Sequence, residues 1–363
     1  MKHIPSLLAS ACALAMSVNA VAEDKVLNIY NWSDYIYEGA IEEFEAKTGI
    51  KVNYDVYDSN ETLEAKLMTG NTGYDIVVPT GSFLERQVEA GIYAEIDKSK
   101  LQNLGNLDAG LVSKIAMHDP DNKHNVPWAW GTIGLGYNVE KVKARIGEMP
   151  VDSLDLLFKP ELSAKLADCG VVMLDSPAEI MAIALNYLGL DPNSEKKEDL
   201  EKGEALLKAN RANYRYFHSS QFISDLANGE VCMSLAYNGD ILQAQGRAEE
   251  AGQGVQVSYV IPKEGTVVWF DLMAIPKDAK HKEEALQFID FILEGKTAAG
   301  ISNFVYYAVP NKAAEPMLNE DVRSNPGIYP SDDVKAKLFT QKAHTAKYDR
   351  LLTKAWSNVK TNR

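Results

Sequence analysis

The stretch from Val26 to Val56, VLNIYNWSDYIYEGAIEEFEAKTGIKVNYDV, decides the fold class. Val26 to Asn31 is an apolar run of strand length, followed by a loop. A helix with Ile41 and Phe44 on one face then ends near Gly49, and Ile50 to Val56 alternates with period two, as a second strand does. Strand, helix and strand in succession imply a parallel sheet and an α/β architecture. The pattern continues outward. Ser59 or Asn60 opens a helix carrying Leu63 and Leu67 that stops at Gly70, and Tyr74 to Pro79 reads as a short buried strand. Ser82-Phe83-Leu84-Glu85 has the form of a capping box, in which serine and glutamate three apart satisfy each other's end groups. A second unit follows Gly136-Tyr137-Asn138. Its strand, Val171 to Leu174, leads into a further box, Ser176-Pro177-Ala178-Glu179, and Val231 to Tyr237 forms another strand. Val255 to Ile261 and Thr266 to Met273 flank Pro262-Lys263-Glu264-Gly265 as a hairpin would, and Glu283 to Leu293 reads as a helix.

At 363 residues the chain is long enough for two domains. No Pro/Gly linker divides it, so the chain is expected to pass between them more than once. With 46% hydrophobic and 24% charged residues it has globular composition. The 51 Asp and Glu against 37 Lys and Arg give a net charge of −14, which disfavours nucleic acid and favours cationic small molecules. Residues 1–22 have a basic start, an apolar run from Leu7 to Val18 and an Ala20-Val21-Ala22 site, the anatomy of a secretory signal peptide. No later run reaches the ~20 apolar residues of a membrane-spanning helix. Cys12 lies inside the signal. Cys169 and Cys232 remain, and in an exported chain they form a disulfide or stay as two buried thiols. There is no CxxC or HxxxH for zinc. Gly134-Leu135-Gly136 lacks the third glycine of a dinucleotide fingerprint, and Lys123 spoils a calcium loop at Asp119. No cofactor or metal is expected. A glycosidase built on two cleft carboxylates is the enzyme reading that these absences leave open.

Acids beside aromatics recur at strand ends: Trp32-Ser33-Asp34-Tyr35, Thr80, Asp175 with Glu179, Tyr237 with Asp240, and Tyr306-Tyr307. Trp269 and Asp271, two apart on a strand, share one face while Val268, Phe270 and Leu272 take the other. In open α/β sheets the ligand crevice lies beyond the carboxyl ends of the strands. Such a wall suits an alkyl chain bearing amines, because aromatic faces cover methylenes and attract ammonium groups while carboxylates pair with the charge. Each residue also has a structural reading. Glu179 can be the third position of a capping box, the aspartates can cap turns, and the tryptophans can be core.

The runs Tyr30-Asn31-Trp32-Ser33-Asp34-Tyr35-Ile36, Thr48-Gly49-Ile50 and Tyr74-Asp75-Ile76-Val77-Val78-Pro79 resemble the periplasmic polyamine-binding proteins of ABC transporters, and the putrescine-binding branch is the nearest. Tyr216 to Gln221, Asp225 to Gly229 and Asn325 to Pro330 extend the resemblance along the chain. It implies a non-enzymatic, type II-like receptor with two lobes, two crossing hinge strands and one ligand cleft between the lobes. The lobes would comprise residues 23–129 with 255–312, and 130–254 with 313–363. A membrane permease would be the partner of a periplasmic, monomeric receptor. A sensory receptor for the same ligands is the alternative. By the resemblance Trp32 and Tyr35 are aromatic walls, Ser33 and Asp34 polar contacts, Asp240 and Asp271 the counter-charges of one ammonium group, Glu179 serves the other end directly or through water, and Tyr307 packs on the alkyl chain. Thr80 replaces a usual serine, Tyr237 a usual tryptophan and Trp269 a usual phenylalanine, whereas Ser82 keeps to the putrescine pattern. Tryptophan at 269 is similar to spermidine-preferring relatives, which tips the expected ligand toward spermidine over putrescine.

Overall fold

The computed structural model describes residues 25–361. The signal segment expected at 1–22, with Cys12, lies outside the described residues. Nine strands build one sheet: β1 (Val26–Trp32), β2 (Lys51–Tyr57), β3 (Ile76–Val77), β4 (Asn125–Asn138), β5 (Val171–Met173), β6 (Tyr214–Phe217), β7 (Met233–Tyr237), β8 (Val257–Val260) and β9 (Val268–Ala274). The order is β2-β1-β3-β9-β4-β7-β5-β6, with β8 also on β4.

The opening unit forms as its pattern requires. β1 and β2 pair in parallel from Val26↔Lys51 to Trp32↔Tyr57. The helix between them, Ala40–Thr48, buries Phe44 against Phe288 and Phe291 and ends on Gly49 in the left-handed conformation. The parallel sheet is confined to the flanks. β1 pairs in parallel with β2 and β3, and β5 with β6 and β7, whereas every strand on β4 is antiparallel to it.

β4 is the device that joins the flanks. Its first half, Asn125 to Thr132, pairs with β9, and its second half, Ile133 to Asn138, pairs with β7 and β8. All but Tyr137 of its 14 residues are buried, so it lacks the alternation of a half-exposed strand. β8 and β9 do not form the hairpin expected on either side of Pro262-Gly265. They lie end to end along β4, β8 from Asn138 back to Leu135 and β9 from Thr132 back to Asn125. The long partner strand supplies hydrogen bonds to both, so neither needs the other. A boundary at 254/255 would therefore split β8 from the half-sheet it belongs to. Likewise Ala314, Leu318, Val322 and Ile328 pack with Tyr30, Val77 and Phe270 of the first half, beyond the boundary expected at 312/313. Phe339 then runs beside Val267, next to the crossing, before the C-terminal helix Ala346–Thr361.

Neither capping box takes the form its spacing suggests. The helix Gly81–Glu89 is capped at Thr80, before Ser82 is reached, which leaves Glu85 free to accept from Ala343 N and face His118. Ser176 does precede the helix Pro177–Tyr187, but its side chain accepts from no backbone N–H of that helix and bonds Glu179 instead, which also accepts from Tyr237. Asp175 holds the C-terminal helix instead of a ligand, accepting from Trp356 Nε1 at 2.6 Å and Lys360 Nζ at 2.9 Å.

Cys169 and Cys232 form a disulfide with their Cα atoms 5.5 Å apart. It ties together the starts of the parallel pair β5 and β7, where Val171 faces Met233. Replacing both cysteines by alanine should lower thermal stability by up to ~4 kcal/mol on the chain-entropy account. Ligand affinity should survive, because the bridge sits at the opposite strand ends from the cleft described below. Calorimetric melting and ligand titration of the double variant check this, and lost affinity with unchanged melting would contradict it.

Candidate ligand-binding cleft

The carboxyl ends of six parallel strands converge on one cavity. β1 delivers Trp32, Ser33, Asp34 and Tyr35, β2 delivers Asp58, and β3 delivers Thr80. From the second half, β5 leads to Glu179, β6 to Ser219 and Ser220, and β7 to Tyr237 and Asp240. Trp269 and Asp271 on β9 and Tyr307 complete the wall. All eleven residues expected from the sequence thus line one space. Asp58, Ser219, Ser220 and Ile223 were missed. Asp58 follows a strand end, the signal that found the others, while the two serines carry neither charge nor ring.

Three carboxyl groups define the chemistry, and each takes a hydrogen bond from a tyrosine. Tyr35 donates to Asp271 Oδ2 at 2.8 Å, Tyr307 to Asp240 Oδ1 at 2.7 Å and Tyr237 to Glu179 Oε2 at 2.7 Å. Thr80 Oγ1 donates to the other Asp271 oxygen at 2.7 Å and itself accepts from Asn60 Nδ2. Burial keeps the three phenols protonated by raising their pKa well above the usual range, so they remain donors. Glu179 and Asp271 are buried, whereas Asp240 retains partial access through the cavity. Enclosure by protein pushes all three carboxyls up to about 7, against the opposing pull of these hydrogen bonds. No Lys, Arg or His forms an ion pair with them among the described residues. Together the three acids form an array of counter-charges suited to a cation.

The rings form a continuous wall. Trp269 meets Tyr307 edge-on at 4.9 Å and Tyr237 at 6.1 Å, and Tyr35 meets Tyr307 at 5.6 Å. Trp32 is pinned by its indole N–H to Val78 O, and Ser33 Oγ donates to Tyr57 O. Trp269 and Asp271 share the cleft face of β9 as their spacing required, while Phe270 and Leu272 pack in a separate apolar cluster. Gly239 permits the closest approach in the site. A Cβ there would lie 2.6 Å from the Tyr307 ring and 2.5 Å from Val305 O, so only glycine lets the helix Asn238–Ala251 come near enough for Asp240 to meet Tyr307. Asp34, exposed at the rim in a left-handed conformation (φ 53), faces Arg247 across the cleft at 3.7 Å. Arg247 follows Asp240 by seven residues, which sets both on one helix face.

A cleft between two half-sheets, entered from the strand ends and lined by fixed acids and aromatics, defines a two-lobed solute receptor. The chain belongs to the family of bacterial extracellular solute-binding proteins, whose model matches residues 39–330. It is 54% identical over 366 residues to the putrescine-binding periplasmic protein PotF of Escherichia coli, covering 100% of this chain and 98% of that one. A spermidine/putrescine-binding periplasmic protein of Salmonella typhimurium is 35% identical over 91% of this chain and 90% of its own. Among solved structures, a putative spermidine/putrescine ABC transporter protein from Listeria monocytogenes superposes with a TM-score of 0.84 at 31% identity, over 93% of this chain and 100% of that one. The protein is a solute-binding protein and not an enzyme.

The acid array has a pH signature. Burial lifts Glu179, Asp240 and Asp271 to about 7, from ordinary values of 4.5, 3.8 and 3.8. The folded chain therefore holds protons that the unfolded chain has released. Their contribution to stability is full below the ordinary carboxylate values and is lost as pH rises through about 7. A bound cation requires the ionised forms, so ligand affinity should rise from about pH 5 to 7, and binding near pH 6 should release protons. Calorimetry in two buffers of different ionisation heat counts the protons, and an affinity flat across that range contradicts the reading.

Proposed function

We propose that the protein captures a polyamine in the periplasm and hands it to the permease of an ABC transporter. The observation that carries this reading is the trio of tyrosine-held carboxyls in an aromatic cavity, none of them ion-paired to a Lys, Arg or His among the described residues. An alkyl diamine meets every requirement of that wall. Its ammonium groups supply the missing positive charge, and its methylenes lie along Trp32, Trp269 and Tyr307, each buried methylene contributing ~0.8 kcal/mol. Asp240 and Asp271 serve one ammonium group and Glu179 the other, with Tyr35, Tyr237 and Tyr307 orienting the carboxylates. The names of the relatives, putrescine-binding and spermidine/putrescine-binding, support the same ligand class.

Tyr307 belongs with the first half-sheet and Asp240 with the second, so ligand contacts span both sides of the crossing strands. Ligand should therefore favour the closed arrangement of a two-state hinge. The receptor works as a monomer that presents the closed form to its membrane partner.

Titration calorimetry with putrescine, cadaverine, spermidine and spermine tests the ligand class. At least one should bind with micromolar affinity or better, and no measurable heat from any of them overturns the proposal. Asp271→Ala and Asp240→Ala should each weaken binding by about 3 kcal/mol, roughly 100-fold, because the ligand ammonium loses an enclosed counter-charge. Small-angle scattering should show a smaller radius of gyration with ligand than without, and superimposable curves would rule out hinge closure.

A further inference from the structure

The two halves of the molecule also meet away from the ligand cavity. On the first half, Arg86 lies on the helix Gly81–Glu89, which packs on β9. Its guanidinium is held within that half. Arg86 Nε and Nη2 donate to the two carboxylate oxygens of Glu64, on the helix Asn60–Met68, at 2.6 and 2.5 Å. The guanidinium also lies over the Phe83 ring at 4.1 Å. Its remaining nitrogen, Nη1, donates to Asp349 Oδ2 at 3.0 Å. Asp349 stands in the first turn of the C-terminal helix Ala346–Thr361, which packs on the helices Pro177–Tyr187 and Lys197–Asn210 of the second half and is tied there through Asp175. One position before Arg86, Glu85 Oε2 accepts from Ala343 N at 3.3 Å. The segment around Ala343 is moored to the second half as well. Asn193 Nδ2 donates to Thr340 O, Lys342 N to Asn193 Oδ1 and Thr345 N to Glu195 Oε1.

We infer that Arg86 and Asp349 form a latch between the two halves that raises the affinity for ligand without touching it. The inference rests on the hinge closure proposed above and deepens it. None of Glu64, Glu85, Arg86, Ala343 and Asp349 lines the ligand cavity. In a two-state hinge the observed affinity is the affinity of the closed form scaled by the fraction of chains that are closed. A contact made only when the halves meet raises that fraction, whatever the ligand. Arg86 suits the task because Glu64 travels on the same half and orients the guanidinium in either arrangement. Little side-chain freedom is then left to lose when Asp349 arrives. The other carboxylate oxygen of Asp349 faces His344 Nδ1, on its own half, at 3.5 Å. Arg86 and Asp349 are both half-buried, so the latch acts as a partly screened ion pair and weakens as salt rises.

The test is titration calorimetry and stopped-flow dissociation on the full chain with putrescine and with spermidine, comparing the wild type, Asp349→Asn and Asp349→Glu. Asp349→Asn should weaken both ligands by one common factor of about three, the size of a partly exposed ion pair, and the loss should appear as faster dissociation. Asp349→Glu keeps the charge and should recover most of it. A common factor is what a shift of the hinge equilibrium requires, whereas a residue that contacts ligand alters the two affinities unequally. Unchanged affinities in Asp349→Asn, or losses that differ between the ligands, overturn the latch and leave the polyamine reading intact. A wild type that binds neither ligand overturns the polyamine reading alone. The latch is then decided on the empty chain by distances between spin labels placed on the two halves: longer distances in Asp349→Asn support it, and identical ones overturn it.

Discussion

Everything in the cleft depends on one arrangement, a carboxyl group enclosed by protein and held by the hydroxyl of a tyrosine. Removing an ionised carboxylate from water costs several kcal/mol, and a single neutral hydrogen bond returns only part of it. Protonation relieves the rest when the site is empty, which is why Glu179, Asp240 and Asp271 are all driven up to about 7. A ligand ammonium relieves it better. The same physics that makes the empty site uncomfortable gives it a preference for cations, and the tyrosines hold each carboxylate in the orientation the cation will need.

The chain topology follows from the need to bring these acids together. Asp271 comes from the first half-sheet, Glu179 and Asp240 from the second, and none is near another in sequence. β4 and the collinear β8 and β9 cross from one half to the other, so the strand ends of both halves open on a common space. Gly239 then removes the last obstruction by letting a helix start press against Tyr307. A ligand that touches both halves contributes to closing them, because its contacts are complete only when the halves meet.

Much of this was legible in the residues. The period-two run from Ile50 to Val56 gave a strand, and the i, i+2 spacing of Trp269 and Asp271 gave a shared face because the strand backbone alternates regardless of context. The strand-end rule located the site because parallel strands place their carboxyl ends on one edge. What failed was pairing. Pro262-Lys263-Glu264-Gly265 carries hairpin chemistry, but a long β4 offers both neighbouring strands better partners than each other, and turn residues report only on local geometry. The two capping boxes failed for a related reason. Glu85 and Glu179 had the spacing to reach back to their own helix ends, yet donors from distant segments, Ala343 N and the Tyr237 hydroxyl, claimed them.

The sequence by itself therefore determined the inventory: an α/β chain, its strand ends, a disulfide-capable cysteine pair and a set of acids and rings suited to an aliphatic cation. These follow from backbone periodicity and side-chain chemistry, which act over a few residues. Only the tertiary structure decided which acid meets which tyrosine, that Asp175 serves the C-terminal helix while Glu179 serves the cleft, and that Arg86 meets Asp349 across the two halves. Those outcomes depend on contacts between residues tens to hundreds of positions apart, and hydrogen-bond competition among them is settled only when the two halves of the sheet are placed side by side.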